Sequence, residues 1–144
     1  METCEEIVRA LHIPLWDPDK GRATTSAFRQ PDISVSRTSI LPYDEIVQIF
    51  KADLERTMGD GTFRRIEATA SLRVDALLSA CTDANNSGLS VRVEADPIQA
   101  STDVQANPAH ALIRVRDAIT TLPKILSRGM ANAILKVCEI RKLD

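Results

Sequence analysis

A chain of 144 residues with 44% hydrophobic and 26% charged residues has the composition of one globular domain, and it is long enough to bury a core without a disulfide or metal staple. No run of 18 apolar residues occurs, which argues against a membrane-spanning helix, and a net charge of −2 does not single out nucleic acid as a partner. The charge is uneven, however: residues 109–144 carry seven Lys/Arg against three acids, a balance of +4 that leaves −6 on residues 1–108. Such a basic stretch is either a solvated helix face or a contact surface for something acidic.

In chain order, Leu11, Ile13 and Leu15 alternate with polar or small neighbours, and Asp17-Pro18-Asp19-Lys20-Gly21 supplies tight-turn chemistry. A hairpin is expected, with Arg22 to Phe28 returning and Pro14 marking an edge strand. Ile33 to Arg37 reads as a short strand. Residues 42–58 read as a helix: Pro42 suits the first position, Asp44 and Glu45 favour the positive end of the dipole, and Tyr43, Ile46, Val47, Phe50, Leu54 and Met58 form one stripe. Gly59-Asp60-Gly61 is expected to end it. Ile66, Ala68 and Ala70 alternate as a strand, and a helix is expected from Leu72 to Asp83 with Ser71 as its cap and Cys81 facing inward.

Asn85 to Gly88 reads as a turn, and Asn85-Asn86-Ser87 matches a glycosylation sequon that is inert in a cytosolic chain. Leu89–Ala95 and Ala109–Arg116 both alternate cleanly, so they are expected to pair as an antiparallel hairpin around a loop bracketed by Asp96-Pro97 and Asn107-Pro108. A final helix is expected from Leu122 to Leu143. The order ββ-β-α-β-α-β-β-α lacks the strict alternation of a doubly wound sheet. It predicts one α+β domain over residues 1–144, with a mixed or mostly antiparallel sheet and helices packed on one face.

The motifs of chemistry are mostly missing. There is no G-x-S-x-G elbow, no Gly-rich phosphate loop feeding a helix, and no pair of Cys/His at zinc spacing among Cys4, His12, Cys81, His110 and Cys138. No metal or cofactor is therefore expected. Strands almost without aromatics argue against base stacking on nucleic acid. Three isolated cysteines and an acidic start, Met1 to Glu6, without an apolar stretch point to reduced thiols in the cytoplasm.

Two constellations remain. The expected hairpin brings Asp96, Asn107 and His110 to one end, where an Asp can orient a His as in general-base pairs, with Ser34 and Ser36 as the available hydroxyls; the alternative is two turn-starting residues beside a surface histidine. On the wheel of the last helix, Leu122, Ile125, Leu126, Met130, Ala133, Ile134, Val137 and Ile140 share one face, whereas Leu135 falls near Arg128, Ala131 and Lys142. These four would form an apolar anchor in a basic rim, fitted to an acidic protein partner, unless Leu135 is simply covered or singly exposed.

The stretches Ala27-Phe28, Ile33-Ser34-Val35-Ser36-Arg37 and Asp96-Pro97 through Asn107-Pro108-Ala109-His110-Ala111-Leu112-Ile113 resemble a family of small uncharacterised bacterial proteins with an "LSV-R" strand followed by a "DP…NPAHALI" hairpin. The resemblance covers about a third of the chain, and this chain has the longer loop before Asn107. It implies a bacterial cytosolic origin and brings no activity or functional residue. The residues thus lean away from an enzyme and toward a partner-binding accessory protein of a larger assembly, with a small hydrolase or ligand-binding domain at Asp96 and His110 as the alternative.

Overall fold

The computed structural model describes residues 4–83 and 88–143; the turn and sequon read at Asn85 to Ser87 lie outside them. In chain order the elements are β1 (Glu6–Leu11), β2 (Trp16–Asp17), β3 (Arg22–Ala23), a 3-10 turn (Thr25–Phe28), β4 (Asp32–Arg37), α1 (Tyr43–Leu54), β5 (Arg56–Thr57), β6 (Phe63–Arg64), β7 (Ala68–Arg73), α2 (Val74–Asp83), β8 (Leu89–Ala95), β9 (His110–Asp117), α3 (Arg128–Lys136) and β10 (Glu139–Lys142). The fold is α+β, built on a six-stranded sheet in the order β10-β7-β1-β4-β9-β8 in which every neighbouring pair is antiparallel.

The central strand, β1, is the element that the alternation rule misses. Its residues from Ile7 to Leu11 are all buried, because both faces of the sheet are covered there and no polar phase remains to be read. Ile7 and Leu11 enter one core with Ile33, Val35, Ala70, Ile113 and Val115, roofed by α2 and α3. Val8 and Ala10 enter a second, smaller core with Ile46 and Phe50 of α1 and with Ile66. The expected packing on one face thus describes α2 and α3, while α1 lies against the opposite face.

β1 and β4 pair only at Ile7↔Arg37 and Val8↔Ser36. Past that point the buried Arg9 guanidinium serves the strand's open edge: Nε donates to the Ala27 carbonyl at 3.1 Å, and its two terminal nitrogens donate to the Ser34 carbonyl at 3.1 Å and to Gln30 Oε1 at 3.0 Å. Burial pushes this guanidinium down to about 10, so it stays charged at neutral pH, its charge met by carbonyl dipoles. At the other end of the strand, Glu5 takes both Nε and a terminal nitrogen of Arg37, at 3.0 and 2.8 Å, and also accepts from Ser39 Oγ.

Several boundaries differ from expectation for tertiary reasons. The first hairpin shrinks to Trp16↔Ala23 and Asp17↔Arg22; Pro14 sits in the turn before it, and Thr25–Phe28 coils to bury Ala27 and Phe28 against α3. α1 stops at Leu54 instead of reaching Met58, because Arg56 and Thr57 turn back to pair with Arg64 and Phe63. Gly61, at φ +88°, serves that small hairpin and not a helix end. Ser71 belongs to β7, paired with Val8, so α2 begins at Val74. Cys81 is buried on α2 as expected. The helix read over 122–143 is only Arg128–Lys136, capped by Ser127 Oγ accepting from Met130 N at 3.2 Å. Ahead of it Pro123 bridges to Arg116, and after it Glu139–Lys142 close the sheet against β7, so pairing partners outweigh helical periodicity at both ends. Among the described residues no helix is long and apolar enough to cross a membrane.

Candidate functional site

The expected β8–β9 hairpin is present in full register, Leu89↔Asp117 through Ala95↔Ala111, and it delivers Asp96 and His110 to one end. β9 sends Ala111, Ile113 and Val115 into the larger core, which turns His110, Leu112 and Arg114 to the opposite face. β4 does the same, burying Ile33 and Val35 and presenting Ser34 and Ser36 beside His110. Ser36 lies directly across from His110, and Ser34 across from Leu112.

His110 joins three elements. Its Nδ1 lies 2.8 Å from the Asp96 carbonyl oxygen and 3.2 Å from Asp96 Oδ2, and its Nε2 lies 3.1 Å from Ser34 Oγ. Both oxygens near Nδ1 can only accept, so Nδ1 carries the proton in the neutral ring. Nε2 then offers a lone pair, and the Ser34 hydroxyl donates to it. The order of donation runs from Ser34 to His110 and from His110 to Asp96, which is the order a general base and its nucleophile require. The Asp96 amide also donates to the His110 carbonyl at 2.9 Å, fixing the strand end that carries the ring.

Asn107 has a different part. It is buried; its Nδ2 donates to Ser36 Oγ at 3.2 Å and its Oδ1 accepts from the Ala109 amide at 3.1 Å. Backbone bonds in both directions between Ile98 and Asn107, at 3.0 and 2.9 Å, close the base of the loop. Asn107 is therefore a latch that sets the loop, and Ser36 is spent on it. Further out the loop is tied to α1, where Gln105 N donates to Asp53 Oδ1 at 3.3 Å. Between loop and helix runs a cleft of about 240 Å³, whose polar lining is Ser34, Asp53, Asn107 and His110. Ile49, Phe50 and Leu54 of α1 form one wall, and Ile98 and Val104 of the loop form the other.

Of the residues read from the sequence, Asp96 and His110 are brought together, with Asn107 buried beside them. Ser34 was marked only as an available hydroxyl; the signal that could have promoted it is phase, since the polar positions of two adjacent strands must share a face. The walls contributed by α1 and the loop left no trace in the pattern. The second candidate group is rearranged. Ala131 is buried, and Leu135 is half-buried against the larger core, so neither offers an exposed anchor. Arg128 is exposed in the first turn of α3, and Lys142 lies on β10 instead of on the helix. Among the described residues no group of three or more His, Cys, Asp or Glu is arranged to hold a metal ion.

Comparison with family models, with curated proteins and with solved structures returned no match in any of the three.

Proposed function

We propose that the protein is a hydrolase for small, mainly apolar esters, with Ser34 as nucleophile, His110 as general base and Asp96 orienting the ring. The observation that carries this reading is the hydrogen-bonded series Ser34 Oγ, His110 Nε2, His110 Nδ1, Asp96, whose Ser34 and His110 line a mainly apolar cleft. The half-buried Leu135 does not serve as the protruding anchor that the alternative reading of α3 needs, so the Ser34–His110–Asp96 series is the better-supported site. Its setting is the cytoplasm of a bacterial cell, supported by the isolated cysteines and by the resemblance of residues 27–37 and 96–113.

In the proposed reaction Ser34 Oγ attacks the ester carbonyl carbon while its proton passes to His110 Nε2. The carbon–oxygen bond to the alcohol then breaks, the proton goes to the departing oxygen, and the acyl group stays on Ser34. Water, deprotonated by the same nitrogen, attacks the acyl carbon, releasing the acid and returning the proton to Ser34. The Asp96 carboxylate stabilises the imidazolium formed in each half. Ser34 lies within a strand and not on the sharp strand-to-helix turn that presents a nucleophile next to backbone donors. Turnover is therefore slow, and the acyl-enzyme accumulates only with an activated ester, whose good leaving group speeds acylation but not deacylation.

p-Nitrophenyl butyrate tests this. A burst of one nitrophenolate per chain, with a butyryl mass addition on Ser34, is the expected result. Ser34→Ala and His110→Ala should each reduce turnover by about 100-fold or more. Equal hydrolysis by wild type and Ser34→Ala, or acylation of another residue alone, would overturn the assignment.

A further inference from the structure

We infer that the groove between the β2–β3 hairpin, α3 and β10 docks an acidic, partly apolar peptide segment of a partner protein. This groove lies on the opposite side of the sheet from Ser34 and does not depend on the chemistry proposed there. It encloses about 740 Å³. Its floor is apolar: Ala23 and Leu135 are half-buried, and Ile140 remains 37% exposed.

Its walls are cationic. Lys20 and Arg22 stand on the hairpin, and Arg128 and Lys136 on α3, all four exposed. Lys142 extends the series from β10, its Nζ passing over Gly21 only 3.2 Å from where a β-carbon would sit. Gly21, at φ +60°, thus meets both the turn's backbone demand and the close approach of this ammonium. Among the described residues the salt bridges involve Arg37, Arg73, His110, Arg114, Arg116 and Arg141, and none uses these five cations. The one carboxylate lining the groove, Asp17, is turned to its own hairpin, where Oδ1 accepts the amides of Asp19 and Lys20 at 3.0 and 3.2 Å.

Five cations without acidic partners around an apolar strip are complementary to a segment that alternates carboxylates with aliphatic side chains. A nucleic-acid strand fits less well: no aromatic side chain lines the groove to stack a base, and Trp16 nearby is buried. α3 and β10 are neighbours in sequence but the β2–β3 hairpin is far from them, which explains why the basic segment located Arg128, Leu135 and Lys142 but not Lys20 and Arg22.

The test uses a fluorescein-labelled peptide of alternating Glu and Leu, followed by anisotropy against the full chain. Arg22→Glu combined with Arg128→Glu should weaken binding about ten-fold or more and remove most of its salt dependence, because rim charges act through long-range attraction. Ile140→Ser should weaken binding and leave the salt dependence as it was. Thermal melts separate lost docking from lost fold: all three positions are exposed, so each variant should melt close to wild type, with only the small loss expected from a second carboxylate opposite Asp17. The inference is overturned if the peptide does not bind, if the double reversal leaves binding unchanged, or if labelled oligothymidine binds as tightly through the same two arginines.

Discussion

The two faces of the sheet are made by the same strands and do different work. On β4, Ile33 and Val35 point into the core under α2 and α3, while Ser34 and Ser36 point the other way. On β9, Ala111 and Ile113 alternate with His110 and Leu112 in the same fashion. The first face holds most of the buried side chains, nearly all apolar apart from Arg9; the second mixes a small apolar cluster under α1 with hydroxyls, an amide and an imidazole. A one-residue step along a strand therefore separates a position that holds the fold from one that the proposed reaction would use.

That contrast makes graded predictions. The largest effect is expected from Ile33→Ala, which empties a fully buried site on the first face; it should cost about 2–5 kcal/mol in urea unfolding. A loss under 1 kcal/mol would mean that the face is not the stabilising layer. Asn107→Ala, on the second face, should cost about 1–3 kcal/mol by leaving Ser36 Oγ and the Ala109 amide without their buried partner. It should also loosen the loop, seen as faster amide exchange at Ile98.

Alkali should weaken the first face specifically. Burial pushes the Cys81 thiol up to about 11 and the Cys138 thiol up to about 12, from an ordinary 9.0. The unfolded chain then releases these protons first, so stability falls as pH rises past about 9, by roughly 1–2 kcal/mol on reaching pH 10. Above about 10 Arg9 works in the opposite sense, because its lowered folded value lets the native state shed a proton before the unfolded one. Urea midpoints between pH 8 and 10 check this, and Cys81→Ala with Cys138→Ala should flatten the decline. The smallest change is expected one residue from the largest: Ser34→Ala should stay within about 0.5 kcal/mol of wild type while ester turnover falls by about 100-fold or more.

What the sequence made legible follows the same division. Wherever one face was buried and the other polar, alternation located the strand: Ile33 to Arg37, Leu89 to Ala95 and Ala109 to Arg116 were all readable, and with them the meeting of Asp96 and His110. β1 was not readable, since a strand covered on both sides carries no contrast. β10 was hidden for another reason: Ile134, Val137 and Ile140 keep a helical spacing although the chain leaves the helix at Lys136, and only the free edge of β7 makes Glu139–Lys142 extended. The Ser34–His110 contact needed the β4–β9 pairing, which joins segments about 75–80 residues apart and leaves no local mark.

The same connectivity orders events in time. β8 and β9 meet across the single loop 96–109, the most local of the pairings in the six-stranded sheet, so the couple of Asp96 and His110 belongs to a hairpin the chain can close early. β1 finds β7 only across about 60 residues, and β4 finds β9 across still more; antiparallel pairings of such span belong to the class that folds in milliseconds to seconds. Ser34 is thus the last member to arrive. In the proposed reaction, a chain caught partway would hold His110 and Asp96 with no hydroxyl to activate, so Ser34 would be armed only by completion of the sheet.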